Sequence, residues 1–377
     1  MNEYIRTHRQ DELMNRLNQS LHIVLVFIIL AVPSWPQVQS GFHSDLVLDD
    51  PAKKEIVSTL TELLEDYYVY PKIGVEMGGH IQRRLENGVY DRITKPVSLA
   101  TRLTNDLRDI SHDKHLRVRY DPSTADSLLR GGQGDAELQR QRVARERRMG
   151  FGFQKVERLA GNVGFLDLRF FSGTSYAREA AAAAMGLLQG ADAVIVDLRY
   201  NGGGSPQMVQ FLCSYFFGPE PVHLNSLYWR PSDRTDEFWT LRDLPGERMP
   251  DTALFVLTSG RTFSGAEEFT YNLKNLKRAV IVGETTGGGA HPVNAKAVNE
   301  DFVLVIPVGR AINPITKTNW EGVGVGPDVK TSEADALATA HLLALRKSLE
   351  ETQDEAWKQR LQQLIHQIEV DLSPDKK

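Results

Sequence analysis

A hydroxyl becomes a nucleophile only when a base and an oxyanion donor stand beside it, so the informative stretches are those where all three could meet. The stretch T-S-G-R-T-F-S-G-A-E-E-F, residues 258–269, follows the apolar run A-L-F-V-L and precedes an amphipathic segment. A serine at such a strand-to-helix junction presents its hydroxyl at the strand end, and the amide of the next residue can face a developing oxyanion. Ser264 and Gly265 fit that arrangement, with Ser259 as the other serine of the turn. The stretch is not G-x-S-x-G, and Ser264 with Glu267 three residues on also fits a helix-capping box. A second stretch, D-L-R-Y-N-G-G-G at residues 197–204, ends a strand in three glycines whose amides no side chain covers. It lacks the G-K-[ST] of a phosphate-binding loop, and a plain tight turn fits it equally well.

Candidate bases come from S-H-D-K-H-L-R-V, which carries His112 and His115, and from G-G-G-A-H-P, which carries His291. A carboxylate to orient the base is offered by N-W-E-G-V-G-V-G-P-D-V, where Glu321 follows a tryptophan in a glycine-rich loop. The single cysteine, Cys213, lies in an apolar run and has no partner for a disulfide or a zinc site.

These residues need a scaffold, and hydrophobic patterning supplies one. Residues 51–116 place apolar side chains at helical spacing, broken at Tyr70-Pro71. L-R-V-R-Y then alternates as a strand does. Residues 121–149 are polar and charged and read as a linker or surface excursion. From residue 150, strand patterns such as G-F-L-D-L, A-V-I-V-D, A-L-F-V-L and A-V-I-V-G alternate with helical ones, which implies an α/β layered fold. Residues 332–377 read as helix. With 41% hydrophobic residues, 25% charged residues and a net charge of -5, the composition is that of a globular protein and gives no reason to propose a nucleic-acid partner.

The apolar run at residues 23–32 is short for a bilayer span and is followed by small residues before Gly41, the pattern of a secretory signal. The polar, partly acidic stretch before it is untypical of a signal, and a start at Met14 gives an ordinary one. Residues 1–40 are therefore expected to direct export, to a periplasmic or extracellular location. An uncleaved membrane anchor is the second option.

In combination, D-L-R-Y-N-G-G-G, T-F-S-G-A-E-E-F, V-G-E-T-T-G-G-G and W-E-G-V-G-V-G-P-D, in that order, resemble the S41 family of serine peptidases. That family holds the tail-specific C-terminal-processing proteases, tricorn protease and the repeats of interphotoreceptor retinoid-binding protein. The likeness is to the retinoid-binding-protein-like and tricorn-like branch. It implies an α/β (α+β) fold with a crotonase-like core of ββα units over residues 150–331, preceded by a small helical domain at 41–120. It implies a serine peptidase acting on a peptide or protein substrate, with no metal and no cofactor. By the resemblance Ser264 is the nucleophile, His115 the base with His112 as backup, and Glu321 the third member. Gly265 and Gly202 or Gly203 supply the oxyanion hole. A Ser/Lys dyad is excluded because Gly288 stands where that branch carries its lysine. No stretch reads as a PDZ domain, so a device for grasping C-terminal tails is missing or replaced by the helical domain. The alternative on the same fold is a carrier of retinoid-like or fatty-acyl ligands, and a crotonase-like acyl-CoA enzyme is a third.

Overall fold

The computed structural model describes residues 47–372. The expected leader, the apolar run at 23–32 and Met14 lie outside the described residues. Among the described residues no helix is long and apolar enough to cross a membrane.

Three helices open the described chain: α1 (Asp50–Tyr67), α2 (Pro71–Glu86) and α3 (Pro96–Ser111). Each begins with a proline in its first turn, where the missing N–H costs nothing. Asp49 caps α1 by accepting from Ala52 N–H at 2.9 Å. Their apolar faces (Ile56, Leu60, Leu64, Met77, Ile81, Leu103) do not close on one another alone. They pack with Phe302, Leu304 and Ile306 in one core. Those residues belong to β10 (Phe302–Pro307), which pairs antiparallel with β1 (Arg117–Tyr120) on one side and β9 (Val293–Ala297) on the other. The helical region expected to end at 120 therefore shares its core with a hairpin almost two hundred residues later.

Residues 121–149, expected as a linker or surface excursion, carry α4 (Pro122–Arg130) and α5 (Gly132–Arg148). Asp121 caps α4 by accepting from Thr124 N–H. The polarity that suggested a linker is the solvated face of α5, whose Glu146 is buried and bonds Ser172 and Tyr176.

The central sheet has the order β12-β8-β7-β4-β3-β2. Its strands are β2 (Phe153–Leu159), β3 (Val163–Leu168), β4 (Ala193–Asp197), β7 (Ala253–Thr258), β8 (Val280–Gly283) and β12 (Val329–Lys330). All neighbours are parallel except β2 with β3. A parallel sheet must be covered on both faces, which is why the inner strands β3, β4, β7 and β8 are mostly apolar on both faces, while the edge strand β2 carries Gln154, Lys155, Glu157 and Arg158. Along β4, Val194 and Val196 enter one core while Ala193 and Ile195 enter the other. The first core is closed by α6 (Thr174–Leu188), α7 (Pro206–Ser214) and α8 (Gly265–Asn275), the second by α9 (Ala336–Glu351) and α10 (Glu355–Leu372). A small antiparallel sheet of β11 (Gly309–Ile312), β5 (His223–Trp229) and β6 (Arg234–Trp239) completes the architecture. The fold is a mixed α/β one with a helical N-terminal region, as expected.

Candidate active site

Because β4, β7 and β8 are parallel neighbours, the loops leaving their C-terminal ends rise side by side, the usual place for a ligand in such sheets. The loop after β4 is the N-G-G-G stretch, the loop after β7 carries Ser259 and Ser264, and the loop after β8 carries Gly287 to His291. Hydrogen bonds join them. Phe263 N–H donates to Asn201 O at 3.0 Å, and Gly287 N–H to Thr262 O at 2.9 Å. Beneath them Arg199 grips Asp197 with two hydrogen bonds of 2.9 and 2.6 Å.

Ser259 is fully buried, and its hydroxyl donates to Arg199 O and accepts from Arg261 N–H. It is a turn residue. Ser264 sits instead on the helix N-terminus with φ 54° and ψ -121°, a conformation a non-glycine residue holds only under constraint, at a cost of about 1–3 kcal/mol. The constraint is visible. Ser264 N–H donates to the Glu267 carboxylate at 2.8 Å, and that carboxylate also accepts from Gly288 N–H at 2.6 Å, Gly289 N–H at 2.8 Å and the Thr286 hydroxyl at 2.5 Å. Burial pushes the Glu267 carboxyl above its usual range in spite of these four donors. Glu267 thus completes its arm of the capping box and also welds the β8 loop to the serine turn. Gly203 closes the other side. A Cβ there would lie 2.7 Å from both Ser264 Cβ and Gly265 N, and its φ of 102° also demands glycine.

The Gly203 amide is committed to Asn201 Oδ1 at 2.8 Å. Gly202 and Gly204, with Gly265, line a cavity of about 670 Å³ together with Ser264 and His115. Of the glycine amides expected to stabilise an oxyanion, those of Gly265 and Gly202 therefore belong to cavity-lining residues.

His115 arrives from the opposite direction, on the loop between α3 and β1. Its ring packs at a tilt of 38° against Phe263, the residue before Ser264, with centroids 4.6 Å apart. Room for the ring depends on Gly289, where a Cβ would stand 2.7 Å from His115 Cε1. Burial lowers the imidazole's pKa to about 4, so it is neutral and able to accept a proton at pH 7. His112, the other histidine of this stretch, ends α3 with φ 54° and is exposed, outside the cavity lining.

The carboxylate nearest His115 is Asp113, whose Oδ1 accepts from the His115 backbone N–H at 2.9 Å and lies 4.0 Å from Nδ1. Asp113 Oδ2 lies 2.6 Å from Nδ1 of the buried His291 and also accepts from the Tyr68 hydroxyl at 3.3 Å. Burial works to raise the Asp113 carboxyl, but the hydrogen bond and charge of His291, with His115, hold it below the usual range. Being ionised it can only accept, so Nδ1 of His291 carries the proton. Glu321 contacts this cluster from its far side, 3.5 Å from His291 Nδ1 and accepting from Ala290 N–H. Burial and the neighbouring Asp113 push it up to about 7. Glu321 therefore reaches His115 through His291 and Asp113. Asp113, His291 and Glu321 also offer three atoms within 4.8 Å of one another, a set that could hold a cation. Asp113 Oδ2 and His291 Nδ1 are already engaged with each other, and Glu321 Oε2 with Ala290 N–H.

The family resemblance implies Ser264, His115 and Glu321 around one site. The structure puts the first two on one cavity, with His291 and Asp113 standing between His115 and Glu321. Asp113 was open to discovery only as the carboxylate two residues before a candidate base.

A model of peptidase family S41 matches residues 162–331, and a model of the N-terminal domain of that family's members in eukaryotic IRBP matches residues 50–140. A carboxyl-terminal-processing protease from Synechocystis sp. is 32% identical over 127 residues, which is 34% of this chain and 28% of that relative's length. Among solved structures, a candidate peptidase from Parabacteroides merdae superposes with a TM-score of 0.54 at 16% identity, covering 78% of this chain and 96% of that one. A lipoprotein from Streptococcus agalactiae gives 0.54 at 13% identity, covering 80% and 99%. These two likenesses concern the fold. The family matches span the helical region, the glycine loop, the serine turn and the Glu321 loop: the chain belongs to peptidase family S41.

Proposed function

We propose that the protein is a serine peptidase that hydrolyses peptide bonds through Ser264 and His115. The observation that carries this reading is the meeting of a constrained serine at a helix N-terminus with a buried neutral imidazole on one cavity. In the proposed reaction His115 accepts the Ser264 proton as Oγ adds to the substrate carbonyl. The oxyanion receives hydrogen bonds from the amides of Gly265 and Gly202. The imidazolium then protonates the departing amine, the C–N bond breaks, and an acyl-enzyme remains. Water, deprotonated by His115, adds to that ester and releases the acid and the serine. Asp113 favours the imidazolium by its charge, and Glu321 holds the cluster from behind through His291 and Ala290. The reading calls on no cofactor.

Export is part of the same proposal, on the strength of the apolar run at residues 23–32. Recovery of the protein in the cytosolic fraction of its producing cell would overturn that part.

The test is a fluorophosphonate probe followed by peptide mass spectrometry. Label on Ser264 that is lost in Ser264→Ala and falls sharply in His115→Ala is expected, along with cleavage of a mixed peptide library. A folded protein that takes no label, cleaves no peptide and instead binds retinol or a fatty acid in this cavity would favour the carrier reading.

A further inference from the structure

Glu267 and Glu268 are adjacent buried carboxylates with opposite surroundings. Glu267 is saturated by four donors. Glu268 is 5% exposed on the first turn of α8 and lines the cavity that holds Ser264, close to Gly265, Leu227, Ala311 and Trp320. Among the described residues no lysine, arginine or histidine forms an ion pair with it. Its polar neighbours are the buried Cys213 thiol and the fully buried Asn225 side chain on β5, which stands close enough to lower the carboxyl pKa that burial raises but falls short of full hydrogen-bond geometry at both its oxygen and its nitrogen. One helical turn on from Glu268, Asn272 is also fully buried with both side-chain polar atoms unpartnered.

A carboxylate taken out of water without a cation costs several kcal/mol, and buried amides without partners add to that cost. Burial accordingly pushes Glu268 up to about 7. Neither the fold nor the proposed hydrolysis uses this group. It caps nothing, bridges nothing and stands a helical turn from the nucleophile. Arg117 and Arg142 line the same cavity, but neither pairs with Glu268, so what the carboxyl lacks is a cation with N–H donors at its own end of the cavity.

We propose that Glu268 is a specificity-determining residue, its carboxylate closing a subsite that accepts a cationic lysine or arginine side chain next to the scissile bond. The substrate class rests on the peptidase reading; the cation subsite itself does not. A guanidinium or ammonium group entering there would pair with Glu268 and donate to Asn225 Oδ1, satisfying two groups the free protein leaves wanting.

The probe is benzamidine, a flat amidinium, with benzamide as its neutral counterpart of the same shape. Both are titrated calorimetrically into the full chain carrying Ser264→Ala, and into the same chain with Glu268→Gln added. Benzamidine is expected to bind at least tenfold more tightly than benzamide, and Glu268→Gln to remove that preference. Equal binding of the two molecules to the Glu268 protein, or a preference that survives Glu268→Gln, overturns the proposal. The comparison within the Glu268 protein keeps the test decisive even if the added substitution unfolds the chain. Fluorophosphonate labelling of the unsubstituted protein separates the two readings. Labelled Ser264 without amidine preference leaves the peptidase and removes the subsite. Amidine preference without label leaves the subsite and removes the peptidase.

Discussion

The two sides of the cavity are held by different means. On the serine side the constraints are hydrogen bonds from backbone amides and one close backbone contact. Ser264 N–H is tied to Glu267, Phe263 N–H to Asn201 O, and Gly203 is pressed against Ser264 so closely that no Cβ fits. On the histidine side the ring of His115 is fixed by packing against Phe263, and three polar atoms there, His115 Nδ1, His291 Nε2 and Glu321 Oε1, are buried without partners. The nucleophile is thus preorganised by hydrogen bonds and close backbone packing among adjacent loops of one sheet, whereas the base is placed by segments from the helical region and from two distant loops. A substrate that enters the cavity meets a finished serine turn and a histidine cluster with hydrogen-bonding capacity to spare.

If this contrast is right, the largest losses come from removing the chemistry on either side. Ser264→Ala and His115→Ala should each lower kcat/KM by about 10⁴- to 10⁶-fold while the thermal unfolding midpoint of the Ser264 variant changes little. A His115→Ala enzyme that kept a tenth of its activity would move the base to His291. The next test ranks the carboxylates. Asp113→Asn removes the charge beside both histidines and frees His291 to change tautomer, so a loss of about 10³-fold or more in kcat is expected. Glu321→Gln acts at one remove and should cost about 10- to 100-fold. The reverse ranking, measured in one assay, would make Glu321 the group that orients the base.

The same contrast explains what could be read in the sequence. Strand, turn and helix follow one another around 258–269, so the junction that carries Ser259, Ser264 and Gly265 was legible from local grammar, while the choice of Ser264 over Ser259 came from the family resemblance. The α/β layering was legible too, since the apolar runs A-V-I-V of β4 and A-L-F-V-L of β7 alternate with helical patterns. The histidine side was not. His115 was singled out by family resemblance, and the significance of Asp113 depends on His291, which lies 178 residues away in the chain. Glu267 read as a helix cap because its remaining donors, Thr286, Gly288 and Gly289, come from another strand's loop. Residues 121–149 read as a linker because composition reports the solvated face of α5 and is silent about Glu146, buried against Ser172 and Tyr176.

Stability offers a smaller test, confined to the histidine side. His115 has a pKa lowered by burial from 6.5 to about 4. Between those values the unfolded chain binds a proton that the folded chain refuses, so the contribution is fully present above pH 6.5 and is lost as pH falls to about 4. The separation is worth about 3 kcal/mol. Urea unfolding of the wild type and of His115→Gln at pH 7.5 and pH 4 should show the stability difference between them shifting by that amount in favour of the variant at low pH. Taking the difference cancels the opposite tendency of Glu321, whose raised pKa stabilises the fold as pH drops below about 7. A difference independent of pH would mean that the folded protein takes up the His115 proton as readily as the unfolded chain does.

The smallest expected effect is that of Tyr68→Phe. Tyr68 is buried, and burial followed by the charge of Asp113 raises its pKa, so it stays a phenol donor at every working pH. Its hydrogen bond to Asp113 Oδ2 is long, 3.3 Å, beside the 2.6 Å contact of His291 with the same oxygen. Removing it should cost about 1 kcal/mol, a roughly fivefold loss of kcat, by loosening the carboxylate that both histidines share. KM should hold, because Tyr68 is outside the cavity lining. A rise in KM with kcat unchanged would show instead that Tyr68 supports the cavity wall, and that packing alone, without Asp113's donor set, positions the histidine side.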